Sequence, residues 1–186
     1  MTTELPSSET DSLRLRVEEL FRALNAHEVD AVAAMHAPDA VLRHPALPHA
    51  VTGRPAIAEG FRGIFRALPD IQFPMDEIRL YVADDHHAAA SWRFTGTMTG
   101  RIEPPGYAPT GKSCSIEGVC LYEFADDPQA GTMLVARHTV VYDTMELLQD
   151  LGIMPRAESS AAKLTAGLQR TSVLVGHALH HQPAHQ

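Results

Sequence analysis

The sequence contains few cysteines, little positive charge and no long apolar run, and each absence excludes a class of protein. Two cysteines in 186 residues cannot form the disulfide framework of a small secreted scaffold. Fifteen Lys and Arg stand against 23 Asp and Glu, and no basic stripe is present, so we expect no nucleic-acid binding. No segment reaches the roughly 18 apolar residues of a membrane-spanning helix, and the first thirty residues carry no signal-peptide pattern. We therefore expect a cytoplasmic protein that binds no membrane.

Length and composition predict one globular domain. The hydrophobic content of 45% is ordinary for a chain with a real core, and 186 residues suit one domain with a tail. Residues 1–10 are polar and predicted to be disordered, residues 11–155 form the domain, and residues 156–186 form a helical extension with a His-rich tail. Cys114 and Cys120 fall in one predicted strand, roughly 20 Å apart at about 3.3 Å per residue, so both are predicted to be free thiols.

The hydrophobic pattern places helices before strands. Helices are predicted over Leu13–Leu24, Val29–Met35 and from Thr52 to Leu68, and strands over Ala40–Pro45, Ile71–Val82, Ala88–Met98, Cys114–Phe124 and Met133–Tyr142. This order is typical of an α+β fold. We expect a cone-shaped, curved antiparallel β-sheet (an α+β barrel) whose N-terminal helices close a ligand cavity. The loop Gly100–Gly111, with three prolines and three glycines, is predicted to lie at the cavity mouth.

Four segments in chain order resemble one known family. They are Leu68–Ile71 with its Pro-Asp step, the aromatic strand Trp92–Gly100, the loop Ala108–Lys112 and the closing run Val141–Pro155. Their order and spacing are similar to those of the SnoaL-like polyketide and ester cyclases of the nuclear transport factor 2-like superfamily. The resemblance implies a small-molecule cavity and acid/base chemistry without a cofactor. The fold supports several chemistries, so the function must be argued from the pocket residues.

The resemblance places the family's catalytic pair on two unexpected residues. The family's His of Gly-Thr-His-x-Gly falls on Met98, and its Asp, after a Gly-hydrophobic step, falls on Cys120. Methionine exchanges no proton, and an unperturbed thiol has a pKa near 8.5. We expect Met98 and Cys120 to line the pocket and to bind substrate together with Trp92, Arg93 and Tyr122. Arg93 could instead pair with a carboxylate across the sheet.

Three other side chains are candidates for the catalytic groups: His138, Glu117 and His44. His138 lies in mid-strand among valines, where a half-buried imidazole needs a partner and could serve as a general base. Glu117 alternates with Ile116; it becomes a proton acceptor if it points inward and a surface carboxylate if it points outward. His44, in a His-Pro step, could support them from the other wall of the cavity.

Histidines recur near the carboxyl end of the chain. Helical spacing would place His177 and His181 on one face, as a metal site requires, with His180 and His185 nearby. No acidic or cysteine ligand accompanies them, so we expect a solvated tail and neither a metal ion nor a cofactor.

These observations predict a cyclase or isomerase that acts on a polyketide-like or other apolar, oxygenated small molecule in secondary metabolism. A non-catalytic small-molecule-binding protein and an epoxide or lactone hydrolase of the same fold are the alternatives. Because a sheet of this kind leaves one face uncovered, we also expect a homodimer formed through that face.

Overall fold

The computed structural model describes residues 7–127, 131–156, 158–160 and 163. The helices within this part are α1 (Ser7–Asn25), α2 (Val29–Ala34), α3 (Arg54–Ala67) and α4 (Thr144–Asp150), with a 3-10 helix at Met75–Glu77. The strands are β1 (His36–Arg43), β2 (Val51–Thr52), β3 (Arg79–Val82), β4 (His87–Thr97), β5 (Ser113–Asp127) and β6 (Thr132–Tyr142). Most of the predicted extension, including its histidines, lies outside the described residues.

The two long helices bury the predicted apolar faces. The buried residues of α1 recur at helical spacing and are Leu13, Val17, Leu20, Phe21, Ala23 and Leu24. Helix α3 has Pro55 in its first turn, where the missing N–H costs nothing, and ends at Ala67, ahead of Pro69. None of the helices in the described part is long and apolar enough to cross a membrane.

The strands form one curved sheet that does not close on itself, in the order β2-β1-β6-β5-β4-β3. The pairs β1–β2, β3–β4, β4–β5 and β5–β6 are antiparallel, and the α+β fold class is confirmed. One pairing differs from the expectation: β1 lies parallel to β6. No hairpin joins these two strands, so nothing in the local pattern specified their direction.

Two strand boundaries differ from the prediction, and a proline lies at each place. The segment predicted as one strand over Ile71–Val82 instead makes a single bridge from Gln72 to Thr95, then a 3-10 helix, and only then β3. Pro74 precedes that 3-10 helix and cannot donate to a ladder. Strand β1 starts earlier than predicted, and its register with β6 shifts between His36 and Val41, a stretch that contains Pro38.

The alternation along β4 and β5 decides which side chains face the interior. The buried positions of β4 are Ala88, Ala90, Trp92, Phe94 and Gly96, and those of β5 are Cys114, Ile116, Cys120, Tyr122 and Phe124. Gly118 occupies the remaining inward position of β5, opposite Trp92. A Cβ at Gly118 would lie 2.3 Å from the Trp92 indole ring, so only glycine fits there. Cys114 and Cys120 are free thiols, as predicted.

Candidate active site

A largely apolar cavity lies between α1, α3 and the concave face of the sheet. Phe21 and Leu24 reach it from α1, and the last two turns of α3 form a second wall. Ile102 and Glu103 also line the cavity, so the loop Gly100–Gly111 reaches it. This agrees with the prediction that the loop lies at the cavity mouth. The polar side chains of the lining are few: His44, Trp92, Glu103, Cys120, His138 and Tyr142. A cavity of this composition suits an apolar ligand held by a small number of polar groups.

A chain of hydrogen bonds joins two buried histidines to a cysteine. His36 Nδ1 lies 2.8 Å from the Val32 carbonyl oxygen, and His36 Nε2 lies 3.2 Å from His138 Nδ1. His138 Nε2 lies 3.3 Å from Cys120 Sγ. Since a carbonyl oxygen can only accept, His36 Nδ1 carries a proton and donates it to Val32. A neutral His36 then accepts from His138 Nδ1–H, and a neutral His138 accepts the Cys120 thiol proton at Nε2.

Burial keeps every member of this chain neutral. It is the main cause that lowers the pKa of His36 below its ordinary value. Burial also lowers the pKa of His138 well below 6.5, and the charges that His36 and His44 would carry lower it further. Burial raises the pKa of the Cys120 thiol to about 11. The resting state is therefore a thiol hydrogen-bonded to an imidazole, rather than a thiolate–imidazolium pair.

Trp92 and Tyr122 complete the surroundings of the thiol. The indole Nε1–H of Trp92 donates to Cys120 Sγ at 3.1 Å. The Tyr122 hydroxyl is buried and has no hydrogen-bond partner among the described residues. Burial raises the pKa of Tyr122 well above its ordinary value, and the neighbouring Cys120 thiol raises it further. Cys120 is thus surrounded by a base, a donor and a phenol in an otherwise apolar wall.

His44 supplies a donor at the other wall of the cavity. Its Nδ1 accepts the backbone N–H of Ala46 at 3.1 Å, so a neutral His44 carries its proton on Nε2. Burial lowers the pKa of His44 to about 4, which keeps the ring neutral at physiological pH. The ring packs edge-on against Phe61 and Tyr142, with centroid distances of 6.3 and 5.7 Å. Burial also raises the pKa of Tyr142, whose hydroxyl therefore remains a second donor.

Two predicted site residues lie on the wrong face of the sheet. Glu117 is exposed and pairs in register with Arg93 on the outer face, because both alternate with inward-facing neighbours. Arg93 Nε donates to Glu77 Oε2 at 2.7 Å, so Arg93 pairs with a carboxylate of the 3-10 helix and not with one across the sheet. The expectations that Glu117 accepts a proton in the cavity and that Arg93 binds substrate there are corrected.

The other predicted residues divide into cavity lining and core. His138, His44, Trp92 and Cys120 line the cavity. Met98 and Tyr122 are buried, but they are absent from the lining. Among the described residues, no group of three or more His, Cys, Asp or Glu side chains could hold a metal ion.

Sequence reasoning missed two residues of the site. Tyr142 had a usable signal, because it lies two and four residues after Val140 and His138, and alternation places all three on one face. His36 had none, because it enters the site through the irregular start of β1 and its long-range pairing with β6.

Comparisons with known proteins identify the family and the fold. A family model described as a SnoaL-like domain matches residues 17–130, more than half of the chain, and the chain therefore belongs to this family. A search of curated proteins finds no match. The resemblance inferred from the sequence motifs is confirmed.

Solved structures share the fold at low sequence identity. A proposed polyketide cyclase from Xanthomonas campestris pv. campestris is 19% identical, with a TM-score of 0.65, covering 77% of this chain and 98% of that chain. AclR, a proposed hydroxylase from Streptomyces galilaeus, is 24% identical, with a TM-score of 0.61, covering 91% and 97%. A Catenulispora acidiphila protein with a ketosteroid isomerase-like fold is 14% identical, with a TM-score of 0.59, covering 80% and 95%.

Proposed function

We propose that this protein is a cofactor-free cyclase or isomerase that removes a proton next to a carbonyl group of an apolar, oxygenated small molecule. One observation carries the proposal: a neutral imidazole acceptor at His138 and a neutral imidazole donor at His44 share one apolar cavity. A proton acceptor and an oxyanion donor are the two groups that enolate chemistry needs.

The roles follow from the hydrogen-bonding pattern. Within the described part of the chain, the lone pair of His138 Nε2 meets only the weak S–H donor of Cys120, so a substrate C–H can compete for it. His36 holds His138 in this tautomer through the 3.2 Å contact. As the enolate forms, the Nε2–H of His44 and the hydroxyl of Tyr142 can donate to its oxygen. Return of the proton at another carbon gives an isomer, and attack of the enolate on a second carbonyl group closes a ring.

A polyketide-like substrate is the most consistent choice. The described cavity lining includes seven aromatic side chains, Phe21, Phe61, Phe65, Phe73, Trp92, Phe94 and Tyr142. Flat apolar surfaces favour planar conjugated molecules. The neighbours named as proposed polyketide cyclases support the same class. We further propose that the reaction belongs to secondary metabolism and that the protein works in the cytoplasm.

Proton abstraction can be tested without knowing the substrate. The protein is incubated in deuterated water with β-tetralone, an apolar bicyclic ketone, and deuterium uptake is followed by mass spectrometry. We expect uptake faster than in buffer, and we expect His138→Gln to lower the rate by roughly 10²-fold. Met98→Leu is the matched control: Met98 is fully buried and absent from the cavity lining, so the rate should change little.

The same experiment separates the alternatives. Saturable binding of the ketone without deuterium uptake would favour the non-catalytic binder. Equal rates for His138→Gln and the unaltered protein would contradict the assigned base. The hydrolase alternative has less support, because Glu103 is the only carboxylate that the described residues contribute to the lining. Its side chain is exposed, and Glu103 Oε1 lies 2.9 Å from Arg101 Nε.

We also propose that the protein is a homodimer. The outer face of the sheet exposes Val119, Leu121 and Val141, and Val119 pairs in register with Val141. Three exposed aliphatic side chains on neighbouring strands form an apolar patch that a second copy could cover about a two-fold axis.

A further inference from the structure

The two free cysteines have the same exposure and very different surroundings. Cys114 and Cys120 are each 5% exposed, and burial raises the pKa of each thiol to about 11. Among the residues that the structure describes, Cys114 is absent from the cavity lining, and its thiol has one hydrogen-bond partner, the Gly96 carbonyl oxygen at 3.5 Å. Cys120 lines the cavity and has an imidazole nitrogen and an indole N–H within 3.3 Å.

We propose that Cys120 is a nucleophile that adds reversibly to an α,β-unsaturated carbonyl compound in the cavity, with His138 as its base and His36 as the residue that orients the base. Covalent catalysis uses this arrangement: the nucleophile is hydrogen-bonded to a base, and a third group orients the base. This proposal shares the cavity with the proposed function but not its chemical step, so each can fail alone.

The addition step balances without a cofactor. The Cys120 sulfur forms a bond to the β carbon, and the thiol proton passes to His138 Nε2. The π electrons move to the carbonyl oxygen, where the Nε2–H of His44 meets the developing charge. His138 then returns the proton to the α carbon, so the adduct is neutral and nothing is oxidised, reduced or released.

The reverse step, loss of the thiol from the adduct, could isomerise the double bond of the bound compound. While the sulfur is attached, the former double bond is a single bond and can rotate. His138 then takes the proton back from the α carbon, and the enolate re-forms the double bond in either geometry as the C–S bond breaks. The leaving thiolate recovers its proton from His138. The cavity could therefore interconvert cis and trans enones, which would be an isomerase activity of the thiol itself.

The geometry confines the reactivity of the thiol to the occupied cavity. Burial disfavours both a thiolate at Cys120 and an imidazolium at His138 in the empty cavity. The thiol proton therefore passes from Cys120 to His138 only when an electrophile accepts the electrons of the sulfur. Two hydrogen bonds orient the sulfur: Cys120 accepts one from the Trp92 N–H and donates one to His138. The Trp92 ring can occupy its position because Gly118 has no side chain.

The test is alkylation of the full-length protein with N-ethylmaleimide, a conjugated carbonyl probe, followed by intact-mass analysis and peptide mapping. We expect one adduct, on Cys120, and an unchanged rate in Cys114→Ala. Cys120→Ser should form no adduct. His138→Gln should react roughly 10²-fold more slowly at pH 7, with circular dichroism confirming that each variant is folded.

The pH dependence distinguishes base-assisted attack from simple thiolate reactivity. With a neutral His138 as base, the rate should be nearly constant between pH 6.5 and 8. In His138→Gln only thiolate reacts, and far below its pKa the rate should rise about tenfold per pH unit. Three results would overturn the proposal: equal labelling of both cysteines, a tenfold rise in rate per pH unit in the unaltered protein, or no adduct with N-ethylmaleimide. Adduct formation without deuterium uptake from β-tetralone would refute only the proposed function.

Discussion

The neutral buried histidines predict that the fold loses stability in mild acid, and His44 allows the size of the loss to be worked out. Its pKa is about 4 in the folded protein, against 6.5 for the ordinary group. Because the folded pKa is the lower one, the unfolded chain binds more protons below pH 6.5, and stability falls as the pH decreases. From about pH 7.5 upward both states are almost wholly neutral at this residue, and its contribution is constant.

The magnitude between pH 7 and pH 5 follows from that difference. At pH 5 the unfolded His44 is almost fully protonated and the folded one is not, which costs about 2 kcal/mol of unfolding free energy. This is an upper limit, because His44 is only partly buried and solvent screens part of the effect. His36 and His138, whose pKa values are also lowered, add losses in the same direction.

Urea unfolding at pH 7, 6 and 5 would measure the effect in the unaltered protein and in His44→Gln. We expect the variant to lose up to about 2 kcal/mol less than the unaltered protein over this range. His49→Gln is the matched control: the side chain is exposed, so its profile should follow that of the unaltered protein. If His44→Gln and the unaltered protein lose stability in parallel, His44 is not held neutral by the fold and the reasoning is refuted.

Two further predictions concern packing and assembly. Gly118→Ala places a Cβ 2.3 Å from the Trp92 ring, so we expect overpacking to lower the free energy of unfolding by about 1–3 kcal/mol. The loss should appear as a lower Tm and altered tryptophan fluorescence. An unchanged Tm would mean that the indole has room to move. Light scattering should show that the unaltered protein is a dimer at micromolar concentration. Val141→Lys should be a monomer, because the substitution puts a charge on the exposed apolar patch. A monomeric unaltered protein would contradict the dimer proposal.

Local patterns along the chain were sufficient for the elements themselves. The alternation of β4, β5 and β6 is a short-range property, and it predicted these strands to within three residues at each end. The apolar stripe predicted α1 as well, but the helix begins at Ser7, six residues before the predicted start and within the segment predicted to be disordered. The mid-strand position of His138 among valines predicted that it is at least half-buried, and the family resemblance placed Cys120 in the pocket. The family motifs then predicted the fold, which the family match confirms.

Only the tertiary structure decided which face was inward and which distant residues met. Alternation separates Glu117 from Ile116, but it leaves open which of the two faces the cavity, and packing of the helices on the Ile116 side settled it. His36 and His138 are 102 positions apart and meet through the parallel pairing of β1 with β6 and the register shift near Pro38. No local propensity encodes such a contact, because its stability comes from long-range strand pairing and burial, which exist only once the whole sheet has assembled.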